Sequence, residues 1–539
     1  MNRRNFLSNT TLTVTALSLA ACTNGDKAKE VKGEAGTAAA AKFELEETTV
    51  DDLQKAMQSG KYSAKQITQL YLDRIQAIDK SGPKLNSVIE INPDALTIAA
   101  QLDEERKAGK VRGPLHGIPV LIKDNIDTAD KMQTTAGALA LEGNIAKKDA
   151  FIVSKLREAG AVLLGKTNLS EWANFRSTNS SSGWSSRGGQ TKCPYVLDHN
   201  PCGSSAGSGT ATSANLCAIS IGTETDGSIT CPSSVNGLVG IKPTVGLWSR
   251  SGIIPISATQ DTAGPMTRTV RDAAIFLGAL TGEDKADPIT AASVGKAETD
   301  YTKYLDINAL KGKNIGIDRK KKSINQFMNR LMDICIEQLK KAGANVIEID
   351  YLEQIDKLGG YELSILQYEF KDGVNKYIAN ANHPIKNLAG VIEYNKKNED
   401  KAMPYFKQEQ LENCEKKGDL NSAEYKEALI KGRDASRKII NEVIAKHKLD
   451  AISGLTMGPA CSIDVVNGDR WGGDFLTQPA AMSGFPHITV PAGLVYGLPV
   501  GLSFFAGAYT EGPLISIAYA YEQVTKSRIV PAFKQAFLD

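Results

Sequence analysis

From Val50 onward the apolar positions follow two alternating periods. Asp51 to Ser59 carries the 3.6-residue spacing of a short helix, and Ser63-x-x-Gln66 is a capping box that opens a longer amphipathic one through Tyr71, Ile75 and Ile78. GPLHGIPVLIKDNID then gives a short apolar strand bounded by Gly-Pro turns. DAFIVSKLREAGAVLLGKTNL reads as a helix stopped at Gly160 followed by the strand AVLLG. Ser205 to Asn215 is dense in small residues and suits a tightly packed helix, with LCAISIG as a buried strand after it. The alternation predicts α/β layers with mixed strand directions. Residues 320–445 differ: Lys, Glu, Asn and Gln rise, and long helical periodicities predict a helix-rich insert over the core. Strand signals return at KLDAISGL, FPHITVPAGL and LPVGLSFFAG, so the C-terminal part is expected to complete the sheet.

The N-terminus follows a different logic. MNRRNFL precedes TLTVTALSLAAC, which is too short to span a bilayer but suits the apolar region of an export signal. Arg3 and Arg4 resemble a twin-arginine signal, and Leu19-Ala20-Ala21-Cys22 resembles a lipobox. The expected organisation is an export signal over 1–21, a flexible tether over 22–44 and one large folded domain over 45–539. Cys22 would then be a lipid anchor, giving a periplasmic or cell-surface lipoprotein; a plain secretory signal is the alternative. No apolar run after residue 22 is long enough to cross a membrane.

Composition narrows the function classes. In 539 residues, 63 Lys plus Arg face 61 Asp plus Glu, a net charge of +2 that gives no electrostatic argument for nucleic acid. Eight cysteines occur without CxxC pairs or a Cys/His ligand spacing, so neither a metal site nor a disulfide framework is expected. A single Cys193–Cys202 bridge is the pairing left open.

Residues 202–234, CGSSAGSGTATSANLCAISIGTETDGSITCPSS, concentrate hydroxyls and glycines, yet none of the five histidines lies within them. A serine nucleophile needs a neighbour to take its proton. Gly203-Ser204-Ser205-Ala206-Gly207 fits the nucleophile elbow G-x-S-x-G, with His487 as the partner, but the residues before it read as loop where the motif requires a strand. The S-x-x-K pairs Ser81/Lys84 and Ser293/Lys296 are of the kind chance supplies in a chain rich in both residues. An anion cradle at a helix start lacks both G-x-x-x-x-G-K and G-x-G-x-x-G. A lysine base remains, provided burial keeps it neutral. From an ordinary pKa of about 10.4, work near neutrality needs a depression of about 3 units, or roughly 4 kcal/mol. Lys123, ending the apolar strand, is the lysine best placed for burial.

HGIPVLIKDNID, CGSSAGSG, GTETDGSI and GLVGIKPTVG together resemble the amidase signature family of serine hydrolases. LKGKNIGI, the DAI strand near residue 450 and GFPHITVPAG with GLPVGLSFFAG extend the resemblance from about residue 45 to the C-terminus. FRSTNSSSGWSSRGGQTKCPY is similar to the insert of the peptide amidase subgroup, which removes C-terminal amides from peptides. The resemblance implies an α/β amidase signature fold, a large mixed central β-sheet covered by helices on both faces. It implies Ser228 as nucleophile, Ser204 as bridging serine after a cis Gly203–Ser204 bond, and Lys123 as base. Backbone N–H groups of Thr225, Asp226, Gly227 and Ser228 would form the oxyanion hole. Neither cofactor nor metal is implied; the substrate would be a small amide or peptide amide, and the protein a monomer or homodimer. The alternatives are an A-type amidotransferase component that works on misacylated tRNA and a ligand-binding lipoprotein on the same scaffold. Cys202, Ala206, Glu224 and Asp226 depart from the family pattern. Asp226 would set a carboxylate where negative charge must be stabilised, unless it is neutralised, turned away or used to hold the substrate.

Overall fold

The computed structural model describes residues 43–320, 322–472 and 475–538, so the expected export signal, the Cys22 anchor and nearly all of the tether lie outside the described residues. Eleven strands form the main sheet: β1 Val88–Ile91, β2 Pro119–Lys123, β3 Val162–Thr167, β4 Ile219–Glu224, β5 Val239–Lys242, β6 Thr262–Thr267, β7 Asn314–Asp318, β8 Asn345–Ile349, β9 Ala451–Leu455, β10 His487–Val495 and β11 Leu498–Phe505. Their order is β1-β3-β2-β4-β6-β5-β10-β11-β9-β7-β8. The sheet is mixed: β2 runs parallel to β3 and β4, β9 and β8 run parallel to β7, and antiparallel pairs join these blocks. Every residue of β2, β3 and β4 is buried, which requires cover on both faces of the sheet.

The expected elements recur with small shifts of boundary. The first helix is Val50–Gln58, and the Ser63/Gln66 capping box opens Ala64–Arg74. The small-residue helix is Ala206–Ser213, and all of it is buried. Its composition follows from its packing, because a Cβ on Gly207 would lie 2.3 Å from the Ser87 carbonyl oxygen and 2.4 Å from that of Asn168. Residues 320–445 are mostly helical but also supply β8, an edge strand beside β7. Only its last residue, Ile349, is buried, so the alternation that announces a strand is faint there. The long helix Gly359–Asn380 packs Leu366, Phe370 and Val374 against Trp172, Phe175, Ile254 and Ile256. Helical residues thereby wall the region where the hydroxyl-rich segments meet.

Candidate active site

Lys123 ends β2, beside β4 in parallel register, so its side chain meets the end of that strand at Thr223. Its Nζ lies 2.8 Å from Ser204 Oγ, 3.0 Å from Ser205 Oγ, 2.9 Å from Thr223 Oγ1 and 3.2 Å from the Thr223 carbonyl oxygen. None of these neighbours carries a charge. Burial without a contacting counterion disfavours the ammonium, and the Lys123 pKa falls to about 7. Asp261 and Glu224 act at longer range in the opposite sense. Asn125 Nδ2 donates to Thr223 Oγ1 at 3.0 Å and fixes that hydroxyl.

Ser204 follows a cis Gly203–Ser204 peptide bond and precedes the small-residue helix. Ser228 follows β4 on a turn where Gly227 has φ +77°, and it lines a cavity of about 430 Å³. Three contacts hold that turn. Glu224 Oε2 accepts the Ile229 and Thr230 N–H groups, both at 2.8 Å. Thr225 Oγ1 donates to Asp261 at 2.6 Å, and the Ile256 and Ser257 N–H groups donate to the other oxygen of Asp261. The Ser205 N–H donates to the Ser228 carbonyl at 3.1 Å, tying the two serine segments together. The Ser228 hydroxyl makes no hydrogen bond to Ser204 here, and among the described residues no Lys, Arg or His lines the cavity.

A disulfide joins the two segments a second time, between Cys202 and Cys231, with Cα atoms 6.1 Å apart. The pairing left open by the sequence, Cys193–Cys202, is not formed: Cys193 is a free thiol buried in the same apolar cluster. The helix Thr230–Val235 folds back and brings Cys231, not Cys193, to Cys202. Asn200 Oδ1 accepts the Cys202 N–H at 2.8 Å, and Asn200 Nδ2 donates to Asp469 at 2.7 Å. Asp469 also accepts from the Ser182 N–H and hydroxyl, so it clamps the wall segment to the serine loop.

The competing constellations separate. His487 Nε2 lies 2.6 Å from Ser503 Oγ inside β10, and burial pushes its pKa down to about 3. Ser205 Oγ is fully engaged by Lys123, the Thr223 carbonyl and the Thr223 N–H, so it has no free role as a nucleophile. Ser81 binds the Gln76 carbonyl, while Ser293 binds the Thr290 carbonyl and Lys296 stands over the Tyr509 ring. Asp226 is not the electrostatic cost that its position in the motif suggests. Thr477 Oγ1 donates to its Oδ1 at 2.5 Å, and burial next to Glu362 raises its pKa well above the ordinary carboxylate range. Thr223, Asp261, Asn200 and Asp469 join the site from outside the sequence-predicted set. Thr223 lies within the GTETDGSI motif, but the others are single polar residues on separate loops, with no spacing to mark them.

A mixed sheet that delivers a buried, depressed-pKa lysine to a serine beyond a cis peptide, beside a cavity serine, is the architecture of a serine hydrolase that works without histidine. The chain belongs to the amidase family, whose model, described as Amidase, matches residues 66–515. A curated Arabidopsis thaliana relative named Probable amidase is 42% identical over 91% of this chain and 92% of its own. The crystal structure of native peptide amidase from Stenotrophomonas maltophilia is 47% identical, with a TM-score of 0.86 over 91% of this chain and 99% of that one. A glutamyl-tRNA(Gln) amidotransferase component of Caldanaerobacter subterraneus is 33% identical over 90% of this chain and 98% of its own.

Proposed function

We propose that the enzyme hydrolyses carboxamides, C-terminal peptide amides among them, through an acyl-enzyme on Ser228. The observation that carries this reading is the contact of Lys123 Nζ with Ser204 Oγ at 2.8 Å, by a lysine that is substantially neutral near pH 7. Neutral Lys123 has a lone pair and accepts the Ser204 proton. Ser204 accepts the proton of Ser228 once Ser228 turns toward it, and Ser228 Oγ forms a bond to the amide carbon. The N–H groups of Thr225 to Ser228 surround the developing oxyanion, a contribution of roughly 3 kcal/mol per donor in acyl transfer. As the C–N bond breaks, the proton returns along the relay to nitrogen and ammonia leaves. Water, deprotonated by the same relay, then cleaves the ester and regenerates Ser228.

The peptide amide as substrate is supported by 47% identity to the Stenotrophomonas enzyme over nearly its whole length. The amidotransferase reading rests on a weaker likeness, 33%, and finds no basic surface argument in a net charge of +2. Export and anchoring at Cys22 are part of the same proposal. They are tested by mass analysis of the membrane-bound protein, where an unmodified Cys22 or an intact residue 1 overturns them. The enzymatic test is ammonia release from amidated peptides and aliphatic amides, with Ser228→Ala as control. Release that persists in that control removes Ser228 from the mechanism.

A further inference from the structure

Asp226 stands on the nucleophile's own turn and lines the same cavity, yet the relay does not use its side chain. Thr477 Oγ1 donates to Oδ1, and Oδ2 has no partner among the described residues. Three charged side chains act on it from the surrounding elements: Glu362 from the helix Gly359–Asn380, Glu224 from β4 and Lys242 from β5. Glu362 is held by amide donors on both oxygens, Gln260 Nε2 at 2.9 Å and Gln478 Nε2 at 2.8 Å. Glu224 takes two backbone N–H groups. Lys242 Nζ donates to the Pro243 carbonyl at 3.2 Å and contacts none of the acids. Among the described residues Lys242 is the one cation that acts on Asp226, it touches none of the acids, and the two neighbouring carboxylates disfavour the Asp226 anion. Donors stabilise the anionic form, and Asp226 has fewer than Glu362, so burial beside Glu362 pushes Asp226 toward its protonated form. With Oδ1 accepting from Thr477, Oδ2 is the oxygen left to carry a proton, on a residue that lines the cavity.

The other hydroxyl donors in the cavity wall are already spent. Ser177 and Thr178 donate to Glu409, Ser180 to Asn174, and Ser182 to Asp469. The amides of Asn174 and Gln410 lie on other segments, which leaves Asp226 as the side-chain donor nearest Ser228 in the chain. The scissile carbonyl is provided for by the backbone of the turn, so a donor on Oδ2 serves a different oxygen. A cavity of about 430 Å³ has room for one, since it falls in the range of sites that enclose whole ligands.

We propose that Asp226 is a specificity residue that, as a neutral carboxylic acid, donates a hydrogen bond from Oδ2 to a carbonyl oxygen in the acyl part of the substrate. It selects acylaminoacyl and peptidyl amides, which have such a carbonyl, over simple aliphatic amides, which do not. This rests on the amide-binding function above. The test is therefore made first as binding, in a Ser228→Ala background, by titration calorimetry with N-acetyl-phenylalaninamide and with 3-phenylpropionamide, which lacks the second carbonyl. Asp226→Ala weakens the first ligand about tenfold, the scale of one hydrogen bond, and leaves the second unchanged. Asp226→Asn keeps an N–H donor and restores the difference between the ligands. Binding of the first ligand by the Ser228→Ala protein weakens at alkaline pH as Asp226 ionises, whereas the Asp226→Asn version stays flat over that range. Equal loss for both ligands in Asp226→Ala, or an alkaline loss that survives in Asp226→Asn, overturns the proposal. Thermal melts of each variant identify a folding defect, in which case Asp226→Asn alone decides. Failure of the wild type to release ammonia would sink the hydrolytic reading and leave this binding comparison intact.

Discussion

Lys123 Nζ and Ser204 Oγ lie 2.8 Å apart in a pocket where no carboxylate touches the lysine. The proton acceptor is thus set by what surrounds it: burial lowers the pKa to about 7, and the relay runs only from the neutral form. Acylation should rise with pH and level off above a midpoint near 7. Single-turnover acylation rates measured from pH 5 to 9 check this, and a flat profile across that span would show that Lys123 is not the titrating base.

The same burial has a consequence for stability. Lys123 has its pKa lowered in the folded state, so between the folded value near 7 and the unfolded value of about 10.4 the unfolded chain binds more protons. The cost is fully present below pH 7 and fades as pH rises to 10. Lys123→Met removes the charge and keeps most of the volume. It should abolish activity yet raise stability by a few kcal/mol at pH 6, the order implied by a fall of the pKa from about 10.4 to about 7, with the gain shrinking toward pH 10. Paired denaturant melts at the two pH values measure it, and a destabilised Met variant at pH 6 would count against a desolvated lysine.

The parts legible in the sequence were those written as contiguous patterns. β2, β4 and the buried helix of small residues followed from apolar runs and from the density of small residues between Ser205 and Asn215. The contact of Lys123 with Ser204 was legible because both residues sit in dense local motifs, as does Ser228. β8 was not, since four of its five residues are incompletely buried and leave almost no alternation to read. Nor was the Cys202–Cys231 bridge: it depends on the turn of chain after Ser228, which tertiary packing decides. Of the two acids that act on Asp226, Glu224 is two residues away but Glu362 comes from the distant helix Gly359–Asn380, so only the fold shows that they meet.

The Cys202–Cys231 bridge closes a loop over a sequence separation of 29 that contains both Ser204 and Ser228. Loop-closure entropy for that length is worth roughly 3.5 kcal/mol on a chain-entropy model. A Cys202→Ser/Cys231→Ser enzyme should lose stability on that scale, and its kcat should fall more than its KM changes, because the bridge tethers the two serines and not the substrate. Urea melts with steady-state kinetics test both. An unchanged midpoint in the double variant would mean the thiols are unpaired in solution.

Asp469 offers the last separable contact. Its carboxylate receives the Ser182 N–H at 3.0 Å and Asn200 Nδ2 at 2.7 Å, and Asn200 in turn holds the Cys202 N–H just ahead of the cis bond. Removing the carboxylate strands buried donors, each costing about 1–3 kcal/mol. Asp469→Ala should therefore lower stability by a few kcal/mol and depress kcat, since the segment presenting Ser204 loses its brace. Asp469→Asn keeps one acceptor and should recover part of both. If Asp469→Ala instead raised KM alone with kcat intact, the residue would belong to the substrate wall and Ser204 would be positioned without it.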